Sequence, residues 1–254
     1  MKDLLESYEC VFLRIWVVSR VIKARPFVGA GFVFLPKFAG LERRGFYLIS
    51  ILSPQIKGDI TESSFELSDD GIYSECICRQ NLSGQRAEKA TFRCMIFKNA
   101  VLNGAVLCGA DIGDVRFENC DLSNLDLNDS TIFRVEFIRC RLTGTDLSSS
   151  HIRNAVFEDC GGKYANFRFA RIEKAAFKNC ALQGTDFQSA EISKVIFSGD
   201  DFRQAQMSGV PLCGIDFSSC NIDGLCARPE DLRGAIITAE QAVTAAQIIG
   251  MKIK

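Results

Sequence analysis

From Leu82 to Ile222 every fifth residue is large and apolar, with 27 of the 29 positions obeying the rule and only Ala87 and Gly162 departing from it. Neither the helical period of 3.6 nor the strand period of 2 produces a pure period of five. Two residues before the large position the residue is mostly small, as at Ala90, Ala100, Ala110, Cys120, Ser130, Cys140, Thr145, Ala155, Ala165, Ala175, Thr185 and Ala190. Two residues after it, Gly recurs at 84, 104, 109, 144, 184, 199, 209, 214 and 224, and Asn at 119, 124 and 154. Gly and Asn tolerate positive φ, so the chain can turn a corner in every unit. Each unit of five thus predicts one small and one large inward side chain, then a corner.

A second period of 20 overlies the first. Phe97, Phe117, Phe137, Phe157, Phe177, Phe197 and Phe217 recur without a gap, as do Ile112, Ile132, Ile152, Ile172 and Ile192. Cys120, Cys140, Cys160 and Cys180 form a third series, which skips Asp200 and resumes at Cys220. Four units therefore make one square coil, and residues 20 apart stack at a strand-like spacing of about 4.8 Å. The pattern predicts an all-β solenoid with a quadrilateral section, about eight 20-residue coils between Ile72 and Leu232, and side-chain ladders filling its axis.

Stretches such as Ala110-Asp111-Ile112, Cys120-Asp121-Leu122-Ser123-Asn124, Thr145-Asp146-Leu147 and Thr185-Asp186-Phe187 resemble the A(D/N)LXX unit of pentapeptide-repeat proteins. The resemblance spans roughly residues 65–235 and implies a right-handed quadrilateral β-helix. The hand comes from the family, the square section from the spacing. The expected organisation is an N-terminal extension over 1–57, the β-helix over 58–234, and a capping helix with tail over 235–254.

An open solenoid end exposes unpaired edges that need a cover. Residues 237–250 read as a helix, with Thr238 and Gln241 spaced as a capping box and Gly250 as its stop. Ala242, Ala245, Ala246 and Ile249 fall on one face. Two roles stand side by side: a lid on the last coil, and a homodimer contact of the kind that joins topoisomerase-binding members of the family tail to tail. The extension is different again. Residues 1–57 carry 9 Lys+Arg against 4 Asp+Glu with no pentad pattern, and residues 59–80 swing to 1 against 6. Val11–Ile22 and Phe46–Leu52 are apolar but interrupted. The basic part reads as a membrane-surface segment, as a poorly ordered extension, or as an over-long start of the reading frame.

Composition narrows the chemistry. The chain has 254 residues, a formal net charge of -1, and 20 Phe against 4 Tyr and 1 Trp, a skew toward an apolar interior. Near-neutral charge argues against direct nucleic-acid binding by a basic surface. No apolar run reaches the roughly 18 residues of a membrane helix, and no leader is convincing at Val11–Val18. The 12 Cys accordingly read as reduced thiols of a cytoplasmic protein. His151 is the only histidine, at an outward position without a paired Ser or Cys, and reads as a surface residue rather than a catalytic one. The stacked cysteines occupy small inward positions, so buried packing is expected rather than a metal or redox ladder. Cys76-Ile77-Cys78 with Cys94 is a CxC spacing that lacks a second pair for metal. Gly161-Gly162 interrupts the large positions and reads as a local bulge that keeps phase, or as a hinge or partner notch. No catalytic residue, cofactor or metal site is expected.

What remains is binding. The expected function is a non-enzymatic, rigid protein-interaction scaffold. The resemblance implies an alternative: a duplex-DNA mimic that occupies a type II topoisomerase, DNA gyrase or topoisomerase IV, as quinolone-resistance members of the family do. Its candidate contact is an acidic strip of Asp126, Asp146 and Asp186 at one outward corner. Eight coils make a rod of about 38 Å, and duplex DNA of that length carries roughly 22 negative charges. Residues 81–232 hold 20 Asp+Glu but also 17 Lys+Arg, far short of that density.

Overall fold

The computed structural model describes residues 31–32, 49–56, 58 and 60–252; the apolar stretch Val11–Ile22, and with it the membrane-surface reading, lies outside them. Among the described residues there are eleven strands and one helix. β1 (Gly31–Phe32) pairs antiparallel with β2 (Ser50–Ile51). The solenoid begins with the short β3 (Thr61–Glu62), β4 (Ile72–Ser74) and β5 (Cys76–Cys78). Six eight-residue strands follow: β6 (Thr91–Lys98), β7 (Asp111–Glu118), β8 (Thr131–Ile138), β9 (His151–Glu158), β10 (Arg171–Lys178) and β11 (Glu191–Ser198). All six are parallel and in a register of 20, so that Phe117 pairs with Phe137 and Phe137 with Phe157.

On the opposite side the chain forms turns, and single parallel bridges carry the same register. One column runs Val106, Asp126, Asp146, Asn166, Asp186, Gln206, Cys226. Positive φ recurs at positions ending in 4 and 9, through Gly on many turn corners and through Cys94, Asp114, Arg134, Asn154, Lys174 and Lys194 at the bend within each long strand. The long strand spans six coils rather than the eight expected. Pro211 supplies the reason above β11. Each preceding strand opens with an N–H to the coil below, as Glu191 does to the Ala170 oxygen at 2.9 Å, and Pro has no N–H to give. Beyond it only bridges continue, the last joining Asp216 to Ile236.

The interior is filled by the predicted ladders. Phe97, Phe117, Phe137, Phe157, Phe177, Phe197 and Phe217 are all buried, with consecutive ring centroids 4.5–5.7 Å apart. Phe167 and Phe187 form a second stack at 4.6 Å, edge-on to the first. Ile112, Ile132, Ile152 and Ile172 are buried, whereas Ile192, below the coil that Pro211 opens, is only partly covered. Gly161 and Gly162 make no bulge. Gly161 bridges Arg141 and Ala181, and Leu182 takes up the missing volume, its Cδ2 only 2.9 Å from where a Cβ on Gly162 would lie.

The helix α1 (Ala242–Ile248) covers the last coil, shorter than the predicted 237–250. The capping box is present and closes the turn before α1: the Thr238 N–H donates to Gln241 Oε1 at 2.8 Å and the Gln241 N–H to Thr238 Oγ1 at 3.3 Å. Gln241 Nε2 then donates to the carbonyls of Phe217 and Cys220, at 2.8 and 2.7 Å. With this anchor the covered side chains are Gln241, Thr244, Ala245, Ala246 and Ile248; of the expected face Ala245 and Ala246 are covered, whereas Ala242 and Ile249 are exposed. Val243 and Ile249 point outward, each 48% exposed. Gly250, at φ 83, ends the helix as predicted.

Candidate functional site

The cysteine ladder does more than fill space. Cys120, Cys140, Cys160, Cys180 and Cys220 are buried free thiols. Cys120, Cys140, Cys160 and Cys180 each donate to the carbonyl 23 residues back, Cys140 to Phe117 at 3.5 Å and Cys160 to Phe137 at 3.3 Å. Each sulfur also receives the main-chain N–H from one coil below: Cys120 from Ala100, Cys140 from Cys120, Cys160 from Cys140. Ser130 does the same with oxygen, accepting the Ala110 N–H at 3.0 Å and donating to the Leu107 carbonyl at 3.3 Å. The small inward positions thus pair main-chain groups that would otherwise be buried alone. Hydrogen bonding within the stack and burial push Cys140 and Cys160 up to about 12, and Cys180 higher still from the same causes. Thiols so disfavoured as thiolates make poor nucleophiles and metal ligands. Cys76 and Cys78 are buried on β5, both raised chiefly by burial, while Cys94 sits at a strand bend. Among the described residues no three His, Cys, Asp or Glu side chains converge as metal ligands.

Asp126, Asp146 and Asp186 do line up in one column, with Asn166 between the last two. Their carboxylates are partly engaged at home. Each accepts the N–H two residues on, from Asn128 at 3.0 Å, Ser148 at 2.9 Å and Gln188 at 2.8 Å. Asn166 donates to Asp146 at 3.0 Å, and Arg168 approaches Asp186 at 3.7 Å. Elsewhere opposite charges face each other one coil apart: Lys98 with Glu118, Arg116 with Glu136, Arg141 with Asp121, Arg153 with Glu173, Arg171 with Glu191 and Lys178 with Glu158. The 20-residue repeat places plus over minus on the outside as it places Phe over Phe within. Most of these pairs are solvent-exposed and stabilise little, but they disperse the acidic field. His151 is exposed at the start of β9, beside Arg153 and Arg171 on a shallow groove.

Two features escaped the sequence reading. Asp114, 7% exposed, is gripped through both oxygens by Arg134, at 2.6 and 2.5 Å. Burial pushes its carboxyl up, but the Arg134 hydrogen bonds and the N–H of Gln55 outweigh that and leave it below its ordinary value. Asn154, also buried, accepts the N–H of Leu52 at 3.3 Å. Residues 49–56 are therefore laid along the sheet, with Ile51 against Ala176 and Ile196. The signal was present: the outward position ending in 6 reads Ile96, Arg116, Glu136, then Val156, Ala176, Ile196, three apolar side chains on a face that ought to be wet.

Comparison with known proteins follows the repeat. The family described as Pentapeptide repeat region matches residues 110–184 and 130–200, and Pentapeptide repeats (8 copies) matches 88–124. No curated protein matches the chain significantly. Among solved structures it is similar to HetL, a protein involved in heterocyst differentiation regulation in the cyanobacterium Nostoc sp. strain PCC 7120, at 19% identity over 67% of this chain and 84% of that one, with a TM-score of 0.44. It is also similar to a trypsin-treated QnrB1, a plasmid-mediated fluoroquinolone resistance protein, at 20% identity over 76% and 96% of the two chains, TM-score 0.40. A protein of the Arabidopsis thaliana thylakoid lumen matches at 20% identity over 66% and 72%, TM-score 0.19. No helix among the described residues is long and apolar enough to cross a membrane.

Proposed function

Because the chain is a pentapeptide-repeat protein, whose interior is a closed stack of side chains, we propose that it works from its outer faces as a non-enzymatic, rigid protein-interaction scaffold. The observation that carries this reading is the pairing of surface charge coil by coil. A DNA mimic needs one sign of charge concentrated along a face, and here arginines and lysines sit one coil from the carboxylates they meet. A filled, periodic rod with mixed charge suits the presentation of local contact patches at fixed spacing. The free thiols fit a reducing, cytoplasmic setting.

One observation favours the second reading, a gyrase or topoisomerase IV partner: Asp126, Asp146 and Asp186 share a column. The deciding experiment is inhibition of gyrase supercoiling by the intact protein and by a triple variant, Asp126→Lys with Asp146→Lys and Asp186→Lys. All three side chains lie outside the core, so the fold should survive the loss of the turn N–H that each accepts, which circular dichroism of the variant checks. The scaffold reading expects little or no inhibition from either protein. Strong inhibition by the wild type, weakened by salt and lost in the variant, overturns it.

A further inference from the structure

The sheet face crossed by residues 49–56 is built to receive extended main chain. Ile51 is 2% exposed, seated on a floor of Ala176 and Ile196, with Val156 and Ile49 at its margin. One residue on, Asn154 Oδ1 takes the Leu52 N–H at 3.3 Å; four residues on, Asp114 Oδ1 takes the Gln55 N–H at 2.8 Å. Both acceptors stand at strand bends with positive φ, and Arg134, which lies over the Phe133 ring at 4.3 Å, fixes Asp114 from the other side. The face thus reads a peptide by two buried side chains, Ile51 and Pro54, and two main-chain N–H groups. Ile49, Ser53 and Ile56 are partly covered, and Ser50, Leu52 and Gln55 are exposed.

We propose that this face is a peptide-binding groove which residues 49–56 occupy in cis, and that its partner is an extended protein segment with an aliphatic anchor, which displaces the strap to bind. The inference rests on the scaffold reading and names the contact patch it uses. The strap is held on this face by Ile51, the buried Pro54 and two hydrogen bonds, and its Ser50–Ile51 also pair with β1, so it opens locally, with β1, without disturbing the ladders beneath. Tethering gives the strap a high effective concentration and makes it the resident occupant. Asp114 is neutralised by Arg134, so recognition rests on shape and main-chain bonding. Binding here is expected to respond little to salt, unlike contact through the aspartate column.

The test uses the full chain, wild type and Ile51→Glu, with a fluorescent peptide of residues 49–56 as probe and anisotropy as readout. A carboxylate cannot be seated on the apolar floor, so the variant's own strap leaves the groove. The peptide should then bind the variant more tightly than wild type, on the order of tenfold or more. Adding Ala176→Glu to the variant should abolish that binding. If Ile51→Glu does not fold, amide exchange in the wild type decides instead: Leu52 and Gln55 should exchange faster than the Ile152 and Ile172 amides. A folded variant that ignores the peptide, or strap amides as protected as those of the ladders, overturns the proposal. Either failure removes this groove alone, and leaves the gyrase assay to judge the scaffold reading.

Discussion

Asp200 accepts the main-chain N–H of Cys180 at 2.7 Å, the contact that a cysteine sulfur makes elsewhere in the same column. Its second oxygen takes the Ser198 N–H at 2.9 Å, and the side chain is 1% exposed, with no cation paired to it among the described residues. Burial pushes the carboxyl from 3.8 up to about 6. A raised acid binds its proton more tightly in the folded chain, so the folded state holds more protons between about pH 4 and pH 6 and loses stability as pH rises through that window. The shift corresponds to roughly 3 kcal/mol. Asp200→Cys restores the column, and its thermal midpoint should exceed that of wild type at pH 7 and approach it at pH 4. Parallel midpoint curves for the two proteins would show that Asp200 does not titrate with folding.

The thiol column makes a prediction that simple packing does not. If Cys140 were only a small hydrophobe, alanine would replace it better than serine. Because its sulfur receives the Cys120 N–H and donates to the carbonyls of Phe117 and Ile138, Cys140→Ala leaves a buried donor unpaired and should cost about 1–3 kcal/mol. Cys140→Ser keeps both bonds, as Ser130 does in its own column, and should cost less. Urea denaturation of the two variants measures the order, and the reverse order refutes the polar role. In native buffer, wild-type Cys140 and Cys160 should react with a thiol reagent only as fast as the chain opens.

The ladders were legible because every coil repeats the same environment, so one rule was tested many times along one chain. Phe97 to Phe217 announced the axis before any coordinates did. The inequality of the faces was also written in the sequence, though less plainly. Turn corners favour Gly84, Gly104, Asn124, Gly144 and Gly184, while the bends within strands carry Cys94, Arg134, Lys174 and Lys194. The strap was hidden for the opposite reason. It is a single long-range contact, and Asp114 and Asn154 look in sequence like any other corner residue. Only the apolar run Val156, Ala176, Ile196 betrayed it. The helix face was misjudged at Ala242 and Ile249 because Gln241, read as a cap alone, also reaches the Phe217 and Cys220 carbonyls.

Arg134 and Asp114 form an ion pair across one coil that is mostly removed from water. Arg134→Met removes the cation and leaves the carboxylate buried, a loss of about 2–3 kcal/mol at pH 7. Asp114 lies below its ordinary value in the folded state, so its contribution is present above about pH 4 and fades as pH falls through the lowered value. The variant's deficit should therefore be large at neutral pH and shrink in acid. A deficit independent of pH would assign the loss to packing of the Arg134 stem on Phe133.

The end of the solenoid separates two roles that one helix can play. Gln241 closes the last coil by donating to two carbonyls and completing the box with Thr238; Val243 and Ile249 face away from it, each 48% exposed. Gln241→Ala removes the donor to the Cys220 carbonyl and the second donor to that of Phe217, which keeps the Cys220 N–H, and should lower stability by about 1–3 kcal/mol, whatever the oligomeric state. Val243→Asp leaves Gln241, Thr238 and the carbonyls they close untouched. If α1 is also the seam of a homodimer, this variant places like charges opposite each other in that seam. It should then sediment as a monomer at concentrations where wild type is a dimer, with the monomer's fold intact. A wild type that is monomeric at every concentration tested, with Val243→Asp indistinguishable from it, would leave α1 as a lid and nothing more.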